Sequence, residues 1–358
     1  MTAWRSRYGE FSGNPAISAE PISPAQYKAV EDRAVDELIA LQERSGLDIM
    51  TDGHVRRSTF LEPLSGALNG VGILPGQGRS RSGGIAVTAK VSRKRSMTVE
   101  EFVYLRSRST KPIKISLPSP LSALGLHVPE YSARAYPDPF DLVRDLSDLI
   151  RHECEELAVL GCELIQLDVP LDWLTHSEPR DDARYDIDPE RLLADGLEIL
   201  NATVDVPGVS FILNASVTGT ANRAANAGGG FAAIAKAVFE RCSRFSGFVF
   251  PIRPAQLDDI AALAHCPPDK TITLGLIDVY VDHLAKSGDD LRKLLARASR
   301  YLPKENIAVT THGDLRESSM EQAEKVLGSL VRMADEIVGR DKPARSSRAD
   351  AGAQTRGR

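Results

Sequence analysis

Stretches with the short apolar runs of strands alternate with stretches of helical period along most of this chain. That alternation restricts the fold more than any single motif does. A strand, a crossing helix and a second strand pack as a parallel pair with the helix on one face. The central unit shows the pattern best. Between residues 140 and 160, Leu142, Val143, Leu146, Ile150, Leu157 and Leu160 recur near the helical period, so one face is buried. Gly161 stands where a helix C-cap needs a positive φ. Leu164, Ile165 and Leu167 then form a short apolar strand that stops at Asp168.

The same unit recurs on both sides. Ser23-Pro24 is an N-cap followed by proline at the first helical position, opening a helix that runs to about Ser45 and closes at Gly46. Leu47 to Met50 is a short strand leading into Thr51-Asp52-Gly53-His54. Residues 62–84 are rich in glycine and serine and read as one long loop, with a strand from Ile85 to Val91 behind it. Thr98-Val-Glu-Glu101 has the spacing of a capping box and opens a helix to about Ser107. Further strands are expected at 111–117, 209–214, 246–250, 271–277 and 306–311, separated by helices at 189–203, 231–242, 255–264 and 290–301, with a closing helix at 317–338.

Leaving out the strand at 85–91, these seven strand–helix units in 358 residues favour an α/β fold of the (β/α)8 TIM type over an open sheet. The eighth strand, first in the chain, is uncertain or missing. It would have to come from residues 1–22, which have no clear periodicity. The domain reading is an irregular segment at 1–22, a barrel at 23–338, and a tail at 339–358 that lacks an apolar pattern and is expected to be disordered.

Composition narrows the partners. A net charge of -5 gives no reason to expect nucleic acid or an anionic membrane, and no apolar run approaches a membrane span. No signal-type apolar segment follows the start. The four cysteines lack metal-site or redox spacing and read as small packing residues in a reducing cytoplasm. A small-molecule substrate is the expected partner, and oligomeric state is left open.

In a barrel the residues at the C-terminal ends of the strands meet around one mouth. Here they are Asp52 and His54, Ser116, Asp168, Asn214 and Ser216, Arg253, Asp278, and His312 with Asp314. Each alone reads equally well as a cap or turn residue; together they describe a polar pocket in an apolar frame. His127, His152, His176, His265 and His283 read as surface or loop histidines.

Three stretches carry a family resemblance. Gln42-Glu43 with Gly46-Leu-Asp-Ile-Met-Thr-Asp-Gly53, Gly161-Cys-Glu-Leu-Ile-Gln-Leu-Asp-Val-Pro170 and Lys270-Thr-Ile-Thr-Leu-Gly-Leu-Ile277 resemble, in order, motifs of the cobalamin-independent methionine synthase family. The resemblance covers about residues 28–338, the family's catalytic barrel. It implies methyl transfer from a folate-type donor to a thiol activated by zinc. The places it assigns to zinc ligands fall on Asn214-Ala-Ser216, near Phe250-Pro251, and within Thr311-His-Gly-Asp314. Asparagine and serine are weak zinc ligands, so the family zinc site is expected to be lost. The resemblance also places two carboxylates on the substrate ammonium. Asp168 occupies one of those positions and His54 replaces the other.

The resulting expectation is a methyl or alkyl transferase, or a related C–S bond enzyme, acting on a small thiol or amino-acid-like substrate other than in methionine synthesis. Asp168, His54 and His312 are the candidate catalytic residues, and Asp52, Gln166, Asn214, Ser216 and Asp314 the candidate substrate contacts. Two other readings stay open. One is a lyase or hydrolase with a metal site rebuilt from His54, Asp168, His312 and Asp314, since imidazole and carboxylate together bind zinc or iron. The other is an inactive relative that only binds a ligand.

Overall fold

A computed structural model describes residues 23–57, 61–73, 85–169, 188–215, 232–250, 254–278, 288–312, 315 and 318–338. The expectations for residues 1–22 and 339–358 lie outside these.

Six strands form one parallel sheet in the order of the chain: β3 (Lys114–Pro118), β4 (Leu164–Asp168), β5 (Ser210–Asn214), β6 (Gly247–Phe250), β7 (Thr271–Asp278) and β8 (Ile307–His312). Parallel neighbours consecutive in sequence require a crossover at every step. Helices lie in these crossovers, and all the strands therefore end on the same side. Met50 extends the array by one bridge to Ile113, with its N–H donating to the Pro112 carbonyl at 2.8 Å. The strand expected at Leu47 to Met50 shrinks to that residue because the preceding helix α1 (Pro24–Ser45) holds on to Leu47. Gly46 adopts φ 86°, and the Leu47 N–H donates to the Gln42 carbonyl at 3.1 Å. At the helix's other end Ser23 and Gln26 make a full capping box, with Pro24 behind it.

Residues 62–73 differ from the expected loop. Helix α2 (Glu62–Ala67) leads straight into β1 (Leu68–Ile73), which pairs antiparallel with β2 (Ile85–Arg93). The two glycines of Leu-Asn-Gly-Val-Gly-Ile disguise a strand. Gly70 sits at a register shift with φ 83°, where an added Cβ would lie 2.6 Å from the Lys90 carbonyl oxygen. Ile85 and Val87 enter the main core, and Val87 N–H donates to the Leu126 carbonyl at 2.9 Å.

Helix α3 (Val99–Arg108) also starts differently from its sequence signal. Thr98 and Glu101 make no capping box. Instead the Thr98 N–H and hydroxyl both donate to Glu153 Oε1, at 2.6 and 3.2 Å, and Glu101 is taken by Arg57. Glu153 belongs to α4 (Pro139–Val159), the long central helix. Asp138 caps α4 by accepting from the Phe140 N–H at 3.0 Å, and Gly161 follows it at φ 88°. Its buried Phe140, Leu142, Val143, Leu146, Ile150 and Leu157 pack on the sheet, each contributing roughly 1.5–3 kcal/mol by leaving water. Inside the sheet Ile115, Leu117, Ile165, Leu167, Phe211 and Leu213 are almost fully enclosed.

Of the five histidines read as surface or loop residues, His127 is buried, with Nε2 2.9 Å from the Tyr136 carbonyl oxygen. The turns Pro120–Gly125 and Pro129–Ser132 close over that loop and enclose it. His176 and His283 lie outside the described residues.

Candidate active site

Asp168 is the last residue of β4, in register with Pro118 of β3 and Asn214 of β5. Only 8% of it is exposed, so its carboxylate must be satisfied by protein or ligand. One oxygen is fully engaged: Oδ1 accepts from Gln166 Nε2 at 2.6 Å and from Asn214 Nδ2 at 2.7 Å. Gln166 points the same way because it lies two residues earlier on the same strand. Its other end, Oε1, accepts from Lys114 Nζ at 2.7 Å. Two of the expected substrate contacts, Gln166 and Asn214, thus hold Asp168 in place.

The loop after Met50 brings the second group of side chains. Gln42 clamps its start: Nε2 donates to the Thr51 carbonyl at 2.8 Å, and Oε1 accepts from the Thr51 N–H at 3.0 Å. Asp52 Oδ1 accepts from the His54 N–H at 3.1 Å, the turn that short acids favour. Gly53 and His54 both take positive φ, 66° and 56°. For histidine this backbone is strained and is kept only where the surroundings impose it. Arg57 then forks onto Glu101 of α3, Nε to Oε1 at 3.3 Å and Nη2 to Oε2 at 2.5 Å. The other ends of this cluster are unsatisfied among the described residues: Asp52 Oδ2 and Arg57 Nη1 are buried without a hydrogen-bond partner there.

These groups feel one another. Burial, then the Arg57 charge, lowers the His54 imidazole below its ordinary value against the pull of Asp52 and Asp168. Burial, then Asp52, pushes the Glu101 carboxyl up to about 7, with Arg57 opposing. Burial lowers the Lys114 ammonium, with Asp168 opposing. Asp52, His54, Asp168 and Asn214 are thereby gathered at one end of the sheet.

His312 ends β8 in register with Asp278, and its side chain lies outside the described residues, as do Ser216, Arg253 and Asp314. Three members of the cluster escaped the sequence reading: Lys114, Arg57 and Glu101. Lys114 had a signal, a charge in the middle of an apolar strand at the same parity as Ser116. Glu101 had a misleading one, its capping spacing.

Residues 14–187 match the sequence family described as "Cobalamin-independent synthase, Catalytic domain". A methionine synthase from Saccharolobus solfataricus is 25% identical over 311 residues, covering 80% of this chain and 78% of that one. Residues 14–187 are thus similar to the catalytic domain of the cobalamin-independent methionine synthases. A second relative, the methionine synthase of Pyrococcus abyssi, is 31% identical over 147 residues, 40% of this chain and 42% of the relative. The chain thus spans under half of the length of that relative. Among solved structures, a B12-independent methionine synthase from Shewanella sp. W3-18-1, in complex with selenomethionine, superposes with a TM-score of 0.69. It is 18% identical, with 89% of this chain and 91% of that one covered. The fold is the α/β TIM-type barrel of these synthases.

Zinc, which the family uses, meets a poor donor set in the described part of its expected place. The Asn214 amide nitrogen is given to Asp168, and Phe250 is a phenylalanine, a residue type without a metal donor. Ser216, Pro251, Gly313 and Asp314 lie outside the described residues. Among the described residues no group of three or more histidines, cysteines or carboxylates is placed to hold a metal. Asn214 and Phe250 do not fit zinc.

Proposed function

We propose that this chain is a methyl or alkyl transferase, or a related C–S bond enzyme, whose acceptor is a small thiol or amino-acid-like molecule. The observation that carries the reading is the division of labour within Asp168. Oδ1 is saturated by two amides, while Oδ2 accepts no hydrogen bond among the described residues. A buried carboxylate with one oxygen fixed and one open, at the end of a barrel strand, suits a cationic group such as a substrate ammonium.

His54 supplies the base. Its lowered proton affinity leaves the imidazole neutral at neutral pH, able to take the proton of a thiol. The thiolate is the competent nucleophile. With a folate-type donor, the sulfur–carbon bond forms as the carbon–nitrogen bond breaks, and the donor nitrogen is left to take up a proton. His312 is the second candidate base, and Asp52, Ser216 and Asp314 are proposed substrate contacts. Because Asn214 and Phe250-Pro251 stand where the resemblance puts zinc donors, we assign the chain a reaction other than methionine synthesis. The proposed enzyme works on small molecules in the cytoplasm, with residues 23–338 as its catalytic unit.

The test is methyl transfer from a methylfolate to a panel of small thiols, homocysteine included, with and without added zinc. Turnover of a non-homocysteine thiol without zinc is expected, lost in Asp168→Asn and His54→Ala at nearly unchanged melting temperature. Because the His54 value is lowered, its protonation limb should fall below the ordinary imidazole range, with activity retained above it. Zinc-dependent homocysteine methylation at the rate of genuine synthases would overturn the assignment.

A further inference from the structure

Lys114 stands inside the barrel wall on β3 and makes no ion pair among the described residues. An ammonium sheltered from water without a carboxylate partner is costly, and such groups are kept where they act on something. Its single acceptor is a neutral one, Gln166 Oε1 at 2.7 Å. Gln166 is 7% exposed, and the opposite end of its amide meets Asp168 at 2.6 Å. The three residues form a line across two neighbouring strands, Lys114 to Gln166 to Asp168.

An amide has a donor end and an acceptor end, and the two can be exchanged by turning the group over. Reversed, Gln166 would press a carbonyl oxygen against the Asp168 carboxylate. Lys114 prevents this, since an ammonium has only donors and must face the carbonyl end. Asn214 supplies the second donor to Oδ1 from the opposite strand, at 2.7 Å.

We propose that Lys114 is a positioning residue for Asp168: by fixing which way Gln166 stands, it directs both amide donors onto Oδ1 and reserves Oδ2 for the substrate. The role of Oδ2 rests on the function proposed above; the orientation relay does not. Lys114 also supplies a positive charge that reaches Asp168 through a polarised amide rather than by direct contact. A direct ion pair would compete with an ammonium substrate for the same carboxylate oxygens. The interposed glutamine keeps the compensation and leaves an oxygen open.

A double-mutant cycle on the full chain, read by denaturant unfolding, tests the relay without any ligand. Lys114→Met should lower the folding equilibrium constant about tenfold more when residue 168 is aspartate than in the Asp168→Asn background. Lys114→Arg, which keeps a cationic donor, should restore most of that loss. Gln166→Met, close in volume to glutamine, should erase the coupling between positions 114 and 168. Additive effects of Lys114→Met and Asp168→Asn would overturn the proposal, and so would coupling that survives Gln166→Met undiminished. If Lys114→Met fails to fold alone but folds with Asp168→Asn, the coupling is shown directly. If neither folds, Lys114→Gln takes its place in the same cycle with the same criteria. Because no substrate enters the measurement, the relay can fail while methyl transfer stands, and methyl transfer can fail while the relay stands.

Discussion

Glu101 answers to two neighbours of opposite sign. Arg57 grips it with two hydrogen bonds, yet burial and the nearby Asp52 raise its carboxyl to about 7 from 4.5. An acid whose folded value lies above its unfolded one is favoured in its protonated form by folding. Its contribution to stability is therefore complete below pH 4.5 and is lost as pH rises through about 7. In Glu101→Gln this component disappears, whatever the substitution does to absolute stability. Denaturant midpoints measured across that window should fall for the wild type relative to the variant, then run parallel above it. Parallel curves throughout the window would show that Glu101 is ionised in the fold at all of these pH values.

At the scale of elements, sequence and structure agree where an apolar pattern decided the matter and part where side-chain chemistry did. The helices on either side of Gly46 and Gly161 and the strands ending at Asp168 and Asn214 were legible because burial sets their period. Asp168 itself was legible because a strand-end acid behind an apolar run has few reasons to be there. The start of α3 was misread because a capping box and an ion pair compete for the same glutamate. Arg57, brought close by a fold that the sequence does not spell out locally, wins Glu101. The charge of Lys114 is visible in its strand, but its partner is not, because nothing there reveals that Gln166, some fifty residues on, will meet it. The β1 strand was hidden by Gly70, which its bulge requires. Gly70→Ala should cost roughly 2 kcal/mol or more, since φ is positive and the new methyl meets backbone oxygen at 2.6 Å. A thermal or denaturant comparison checks this, and a neutral outcome would mean that the hairpin can relax locally.

At the scale of the whole molecule, the barrel wall collects its charged groups at the strand ends and fills the rest with apolar side chains. Lys114 opens β3 at the end away from the mouth, and its ammonium meets Gln166. The frame is the barrel of the synthases that the chain resembles, and its mouth gathers Asp52, His54, Asp168 and Asn214. The same frame disposes of the chain's own sulfur. Cys154, Cys162, Cys242 and Cys266 are all free and buried, and burial raises each thiol, Cys162 to about 11 and Cys242 and Cys266 to about 12. The reaction proposed for this chain would bring thiolates and alkyl donors together and risk alkylating the protein itself, and its own thiols are both hidden and protonated. Native protein should therefore be nearly silent toward an aromatic disulfide reagent, with all four thiols reacting once it is unfolded. Fast reaction of any one of them in the folded state would reveal an opening at that cysteine. If the silence holds, the disappearance of free thiol in a reaction mixture is a direct count of substrate turned over, with no background from the enzyme.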